Sequence, residues 1–437
     1  MFKGINTFWV KFPVALCLLT LALSFIGIVN IASAAKATRP NLFMVQFVWL
    51  LMGVALAMVI SFIQTRSLFH IAYPFYVFVI LLLVAVFAVG TSAKGSQRWI
   101  DLGLMRLQPS ELAKLSVVLG TARYCTDFEV HGGYSIRDLI RPFNFSRPLC
   151  FLAVVIYALS TGAISEHVSF FANPSSPKTI LLFVFLFLVA LVWLFLSLNQ
   201  LQKEGFHLYQ LVSLGDMILV PFALILIQPD LGTAMIVLAI SGSMILFCGM
   251  RTGSLILVGL FSLVVAVVGW NVVLKDYQKQ RVESFLNPEA DIRGQGYHAA
   301  QSMIAIGSGQ ILGKGFGEGT QTQLSFLPEN HTDFVFAVLA EEWGFIGALL
   351  VMILFWALVL QMLRVAAKAQ DRFGSLLAVG ATCVVFWHVF INVGMVTGIL
   401  PVVGVTLPFV SYGGSSMLTQ IAAVGICINV AVWRRIK

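Results

Sequence analysis

Twelve mainly apolar stretches recur along this chain, each near the roughly 20-residue length that lets a helix cross a bilayer. They lie near 12–33, 43–63, 70–90, 110–125, 149–171, 180–200, 212–228, 232–250, 255–274, 334–361, 376–399 and 413–433, with those near 110, 212 and 413 the weakest. Inside lipid every backbone polar group needs a partner within the protein, which leaves only helix bundles and closed barrels. The alternating pattern of a barrel strand is absent. The expectation is an all-α polytopic membrane protein, a bundle of about 12 transmembrane helices in a single membrane domain. Composition agrees: 59% of residues are apolar and 11% charged, where a soluble chain is about half apolar and a quarter charged. Soluble classes are excluded on that ground.

Orientation follows from Lys and Arg, which concentrate on the cytoplasmic side. With twelve spans and a cytoplasmic N-terminus, and so a cytoplasmic C-terminus, cytoplasmic segments hold fifteen of the 27 basic residues. Eleven fall in outer loops, and eight of these lie in only two: Lys94, Arg98 and Arg106 in one, and Lys275, Lys279, Arg281, Arg293 and Lys314 in the other. Without those two loops the asymmetry is clear, so both need a reason, and an anionic ligand outside supplies one. The net charge of +8 then reflects orientation and requires no nucleic-acid partner. The six cysteines show neither metal spacing nor a disulfide framework and read as small apolar packers. Ala32-Ser33-Ala34 resembles a signal-peptidase site, but the preceding run is long enough to span, which favours an uncleaved first helix.

Five constellations carry chemistry. Lys94-Gly-Ser-Gln-Arg-Trp-Ile-Asp-Leu-Gly103 contains Arg98 beside Trp99 and runs on to Leu107-Gln-Pro-Ser-Glu-Leu-Ala-Lys114. There Pro109 suits a first helical turn, and Glu111 and Lys114 share a helix face. Ionisable groups in a span are functional by default, though a structural ion pair explains these two equally well. In Ile227-Gln-Pro-Asp-Leu-Gly-Thr-Ala234, Pro229 ends one helix and Asp230 caps the next or contacts ligand. Tyr277–His298 is a highly polar run that brings Arg281, Asp291, Arg293 and His298 into one outer cleft. It belongs to a large loop over 275–333, too long to be structureless. Within that loop 297–311 suits a short interfacial or re-entrant helix, and the glycines of 313–319 allow backbone to approach a ligand. Leu327-Pro-Glu-Asn-His-Thr-Asp-Phe-Val-Phe336 puts His331 and Asp333 at the outer end of a span that buries Glu341 and Glu342. His388, alone in an apolar span, reads as a satisfied core histidine. The fifth, Gly398–Ser416, holds two prolines, Ser411 and several glycines, the signature of a broken segment lining a cavity or buried in protein.

These five motifs in this order resemble the SEDS family (shape, elongation, division and sporulation), the bacterial cell-wall glycosyltransferases RodA and FtsW. The resemblance runs from Lys94 to Ser416, and Ile399-Leu-Pro-Val-Val-Gly404 is closer to the RodA branch than to the division branch. It implies polymerisation of lipid II into glycan strands at the outer face of the bacterial cytoplasmic membrane, with release of undecaprenyl diphosphate. It also implies a class B penicillin-binding protein and other elongation-complex proteins as partners, with a divalent cation (Mg or Mn) as the one possible cofactor. The family's essential aspartate sits in a motif matched here by Asn287-Pro288-Glu289-Ala290-Asp291 followed by Gly294, Gly296 and Tyr297. With Asn in the first acidic position, the catalytic role falls on Asp291. A ten-helix core is usual in the family, so residues 149–200 are expected to be an inserted pair of helices.

Transfer of a sugar from a diphosphate needs one general base within hydrogen-bond reach of the acceptor hydroxyl and cationic stabilisation of the leaving group. Asp291 is the expected base, with inversion at the anomeric carbon. Arg98 and Arg281, with Lys114 or Arg293 as a further cation, are expected on the diphosphate, which arginine binds bidentately. Two other classes compete. A lipid II flippase or transporter would centre its charges at midplane, whereas the densest cluster here lies outside; a non-catalytic scaffold would not need Asp291.

Overall fold

Residues 12–36, 39–93, 96–101, 103, 106–130, 132–140, 213–268, 276–286, 295–324, 326–327 and 329–433 are described by the computed structural model. The inserted pair expected over 149–200, together with Asp291 and Arg293, lies outside the described residues. The chain divides into two compact units, one of Met1–Glu129, Pro221–Cys248 and Tyr277–Lys437, the other of Val130–Val220 and Gly249–Asp276.

The first unit is a helical bundle. Helices α1 (Val14–Ala34), α2 (Leu42–Phe62) and α3 (Thr65–Val89) lead into a small antiparallel sheet of β1 (Thr91–Ala93), β2 (Ser96–Asp101) and β3 (Arg106–Leu107). Helix α4 (Pro109–Asp127) begins with proline in its first turn, where the missing N–H costs nothing. In the second unit α5 (Ile136–Ile140) is followed by α6 (Leu214–Ile227), which ends in the first unit, and α8 (Thr252–Val268) follows α7 (Leu231–Cys248) of the first. Beyond them come α9 (Asp276–Leu286), α10 (Gln295–Ser308), α11 (Thr320–Gln323), α12 (Val335–Ala367), α13 (Arg372–Val396) and α14 (Gly414–Trp433).

Among the described residues seven helices are long and apolar enough to cross a membrane: α1, α2, α3, α7, α12, α13 and α14. Ten of the twelve expected spans coincide with a helix; among the described residues α4 is too polar to meet that test, and the described parts of α6 and α8 are shorter than it requires. For α4 the reason is its setting, since most of its length, including Glu111, Lys114, Ser116 and Thr121, is buried in protein. The all-α expectation also missed the sheet, in which Ile100 pairs with Leu107 and Asp101 with Arg106. Strands this short carry too little pattern to read from sequence.

Lipid tails are as apolar as leucine, so helices in a bilayer associate through close packing and polar contacts. Helix α14, buried along nearly its whole length, packs against α2 and α13. Val79 and Leu83 of α3, Ala113 and Val117 of α4, Ile225 of α6, and Ala234 and Val237 of α7 form a fully buried cluster. Side-chain amides tie neighbours together: Asn429 donates to Ile60 O at 2.7 Å, Asn30 to Val335 O at 2.9 Å and Gln228 to Leu83 O at 2.9 Å. In the second unit, Ser213 with Asp216 and Ser135 with Asp138 form reciprocal caps on the helices they open.

Candidate active site

The motifs of the first unit converge at one end of its bundle, where α3 ends and α4, α7, α12 and α14 begin. Arg98 on β2 reaches the break between α6 and α7. Its Nε donates to Gln228 O at 3.1 Å, its Nη2 to Pro229 O, and its Nη1 lies 3.8 Å from Asp230 Oδ1. Carbonyls at a helix C-terminus carry partial negative charge, which favours a guanidinium there. Arg98 nevertheless keeps 28% of its side chain exposed. Asp230 caps α7, accepting from Thr233 N at 3.3 Å and Thr233 Oγ1 at 3.0 Å, and also accepts from Gln108 Nε2 at 3.2 Å. Trp99 follows on the same strand, paired with Thr91 and half-buried.

One level deeper, Lys114 Nζ donates to Glu111 Oε1 at 2.7 Å. Both residues belong to α4, so this pair does not itself join two helices. The cross-link comes from His388 on α13, whose Nε2 is 2.7 Å from Lys114 Nζ and whose Nδ1 is 3.2 Å from Thr406 O. A carbonyl only accepts, so Nδ1 carries the proton and Nε2 accepts from the ammonium. His388 is the satisfied core histidine that was expected, buried and bonded at both ring nitrogens, and it ties Lys114 to the broken segment between α13 and α14.

That segment is the hub of the site. Asn392, one helical turn beyond His388 and on the same face, donates to Val405 O at 2.6 Å and to Asp333 O at 2.9 Å. Thr406 Oγ1 meets Ser416 Oγ at 2.8 Å, and Ser415 Oγ donates to Arg106 O at 3.1 Å. Ser411 is buried, donating to Thr332 O at 2.6 Å and accepting from Leu407 N at 2.8 Å. Its hydroxyl is spent on the fold. Tyr412 N donates to His331 O at 2.9 Å, and His331 Nδ1 sits 3.0 Å from Asn330 Oδ1. Helix α10 joins this end through Ser302, which donates to Val396 O at 2.8 Å. It also carries Tyr297, whose ring centroid is 6.0 Å from that of His298. Arg281 lies on α9.

Glu341, an ionisable group within a span and so expected to be functional, holds the large loop in place. Glu341, fully buried, accepts from Lys314 Nζ at 2.8 Å, Gln321 N at 3.0 Å and Thr322 Oγ1 at 3.2 Å. Glu342 accepts from Ser33 Oγ. Within the glycine-rich run, Gly313 is pressed against the backbone of α12, where a Cβ would lie 2.1 Å from Glu342 O. Among the described residues no group of three or more His, Cys, Asp or Glu could hold a metal ion. Sequence reasoning missed Gln108, Asn392 and Thr406. The four-residue spacing of His388 and Asn392 was the one signal available for them. A cavity of about 470 Å³ opens at the opposite end, beside Arg66, Phe69, Thr126, Asp371 and Trp433.

The model of a family described as cell cycle protein, comprising FtsW, RodA and SpoVE, matches residues 11–210 and 199–436. This chain belongs to that family. It is 38% identical over 386 residues to the peptidoglycan glycosyltransferase MrdB of Escherichia coli K12, covering 88% of this chain and 84% of that protein. A solved chain from work titled "Structural coordination of polymerization and crosslinking by a peptidoglycan synthase complex" superposes with a TM-score of 0.68 at 28% identity, covering 98% of this chain and 99% of that one. The rod shape determining protein RodA of Thermus thermophilus superposes with a TM-score of 0.60 at 25% identity, covering 98% and 99%. The family member is a multi-pass membrane protein, with RodA-type relatives among its matches.

Proposed function

We infer that this protein is a peptidoglycan glycosyltransferase of the RodA type, polymerising lipid II into glycan strands during cell elongation. The match to the glycosyltransferase MrdB carries the inference, because it spans nearly the whole of both chains. The site supports it: its motifs gather at one end of the bundle, as chemistry on a lipid-anchored substrate at a membrane surface requires. A transporter would instead hold its charges exposed to a path at midplane, whereas Lys114 and Glu111 are buried against one another.

Asp291 acts as the general base, taking the proton of the acceptor's GlcNAc 4-hydroxyl as that oxygen attacks the donor's anomeric carbon. A diphosphate leaves as a stable anion and needs no acid; cations suffice. Arg98, partly exposed and aimed by the carbonyls it grips, is suited to that anion, with Arg281 and Arg293 beside Asp291 in sequence. Lys114, with no exposed surface, serves by fixing α4, α13 and the broken segment. Attack assisted by one base inverts the anomeric configuration. Tyr297, Trp99, Asp230, His331 and Asp333 shape the sugar-binding side of the site, with Ser411 holding its backbone.

The positive-inside distribution supports placement in the bacterial cytoplasmic membrane with both termini inside and the site outside. The structural neighbour from a complex named for polymerization and crosslinking supports a class B penicillin-binding protein as partner. The test is lipid II polymerisation by purified protein with that partner added. Asp291→Asn and Asp291→Ala are expected to lose glycan product by at least about 100-fold, the scale of a lost general base. Full polymer from both variants overturns the base assignment; lipid movement without polymer from the wild type favours a flippase. An EDTA arm, with Mg or Mn restored, decides whether a divalent cation takes part.

A further inference from the structure

Helix α12 is interrupted at Gly344, whose φ of 67° and ψ of −167° are non-helical. In an intact helix Phe345 N and Ile346 N would donate to the carbonyls four residues back, those of Glu341 and Glu342. Here a turn of the large loop substitutes for all four groups. Phe345 N donates to Gln310 O at 2.8 Å and Ile346 N to Ile311 O at 3.2 Å, while Lys314 N and Gly315 N donate to Glu341 O and Glu342 O at 3.1 and 3.0 Å. Gly313 N closes the turn on Gly309 O at 2.8 Å. The Glu341 carboxylate locks the flank through Lys314 and Gln321. A segment held by this many bonds is a built part of the fold.

Its tip is apolar and uncovered. Ile311 is 65% exposed and Leu312 79%, beside Phe345 at 63% and Ile346 at 54%. The exposed stripe continues down α12 through Leu349, Ile353 and Trp356, on a helix that crosses the membrane by length and composition. Because Ile346 N bonds Ile311 O, the turn extends that lipid-facing stripe without a gap. Length sets its depth. The part of α12 after the break, about 23 residues, spans about 35 Å at 1.5 Å per residue, enough for a hydrocarbon core of about 30 Å. The break therefore lies at the membrane boundary.

We propose that the Gln310–Gly315 turn is a membrane anchor, with Ile311 and Leu312 entering the acyl chains of the leaflet beside the break in α12. The turn follows α10 directly, so it sets the height of α10 above the lipid-linked substrate. That consequence rests on the proposed function; the anchor itself does not.

The test uses the full-length chain with native cysteines replaced and lipid II polymerisation retained. Leu312→Cys, or separately Ile311→Cys, is labelled with an environment-sensitive fluorophore and reconstituted into phosphatidylglycerol–phosphatidylethanolamine vesicles, with Glu318→Cys as the control. Lipids brominated near the glycerol end of the acyl chain are expected to quench both probes at least about twice as strongly as aqueous iodide does, with the reverse order at Glu318. Iodide quenching with no bromolipid quenching at both positions overturns the anchor. So does bromolipid quenching that vanishes when a class B penicillin-binding protein is co-reconstituted, since the occupant is then a protein. Either result with polymer formation intact leaves the glycosyltransferase reading standing; failure of the unlabelled wild type to polymerise removes that reading and leaves the anchor to the quenching data.

Discussion

Lys114 has the most demanding position of any single residue in this site, an ammonium with no exposed surface between one carboxylate and one imidazole. Removing one partner of a buried polar pair leaves the other unsatisfied, at about 1–3 kcal/mol for a hydrogen-bonding group. His388→Ala is therefore expected to lower thermal stability in detergent by about that amount and to depress polymerisation. His388→Gln restores an acceptor near Nε2 and is expected to recover part of both. Equal stability of the alanine variant and the wild type would mean that the tether to Thr406 carries no weight. At this scale the sequence was only half legible. The three-residue spacing of Glu111 and Lys114 announced their pairing, because helical geometry is local. It could not announce His388, since 274 positions separate it from Lys114.

At the scale of elements, the determining feature is substitution of one segment's backbone for another's. Helix α12 tolerates its break because the loop supplies four replacement bonds, and it tolerates Glu341 because the same loop supplies four donors. A side chain at Gly344 meets two obstacles: φ of 67° with ψ of −167° is a region open essentially only to glycine, at about 1–3 kcal/mol for another residue, and the added Cβ would lie 2.3 Å from Gly313 N. Gly344→Ala is expected to lower the unfolding midpoint by several degrees. Gly242→Ala, where a Cβ meets nothing within 4 Å, is expected to be neutral or stabilising, as alanine is the better helix former. Matching midpoints for the two would argue against the break as a structural requirement. The helices themselves were readable, since apolar length is a property of a window. The small sheet at Thr91–Leu107 was not, because two- to six-residue strands are shorter than any periodicity that could reveal them.

For the whole molecule, charge counting predicts both termini on the cytoplasmic side and the gathered motifs outside. Fusing a periplasm-dependent phosphatase or a cytoplasm-dependent fluorescent protein to the C-terminus checks this: fluorescence without phosphatase activity is expected, and the opposite reverses the topology. Depletion in the host is expected to give round cells; filaments would assign the protein to division.

The sequence by itself determined the class of solvent, the positions of the helices among the described residues and the family, because each of these is written in composition, window length or a contiguous motif. Tertiary structure alone decided which polar groups meet. Between helices of equal apolarity lipid offers no preference, so the choice of neighbours falls to shape and to a few long-range hydrogen bonds: Arg98 to the Gln228–Asp230 turn, His388 to Lys114 and Thr406, Glu341 to the loop it holds.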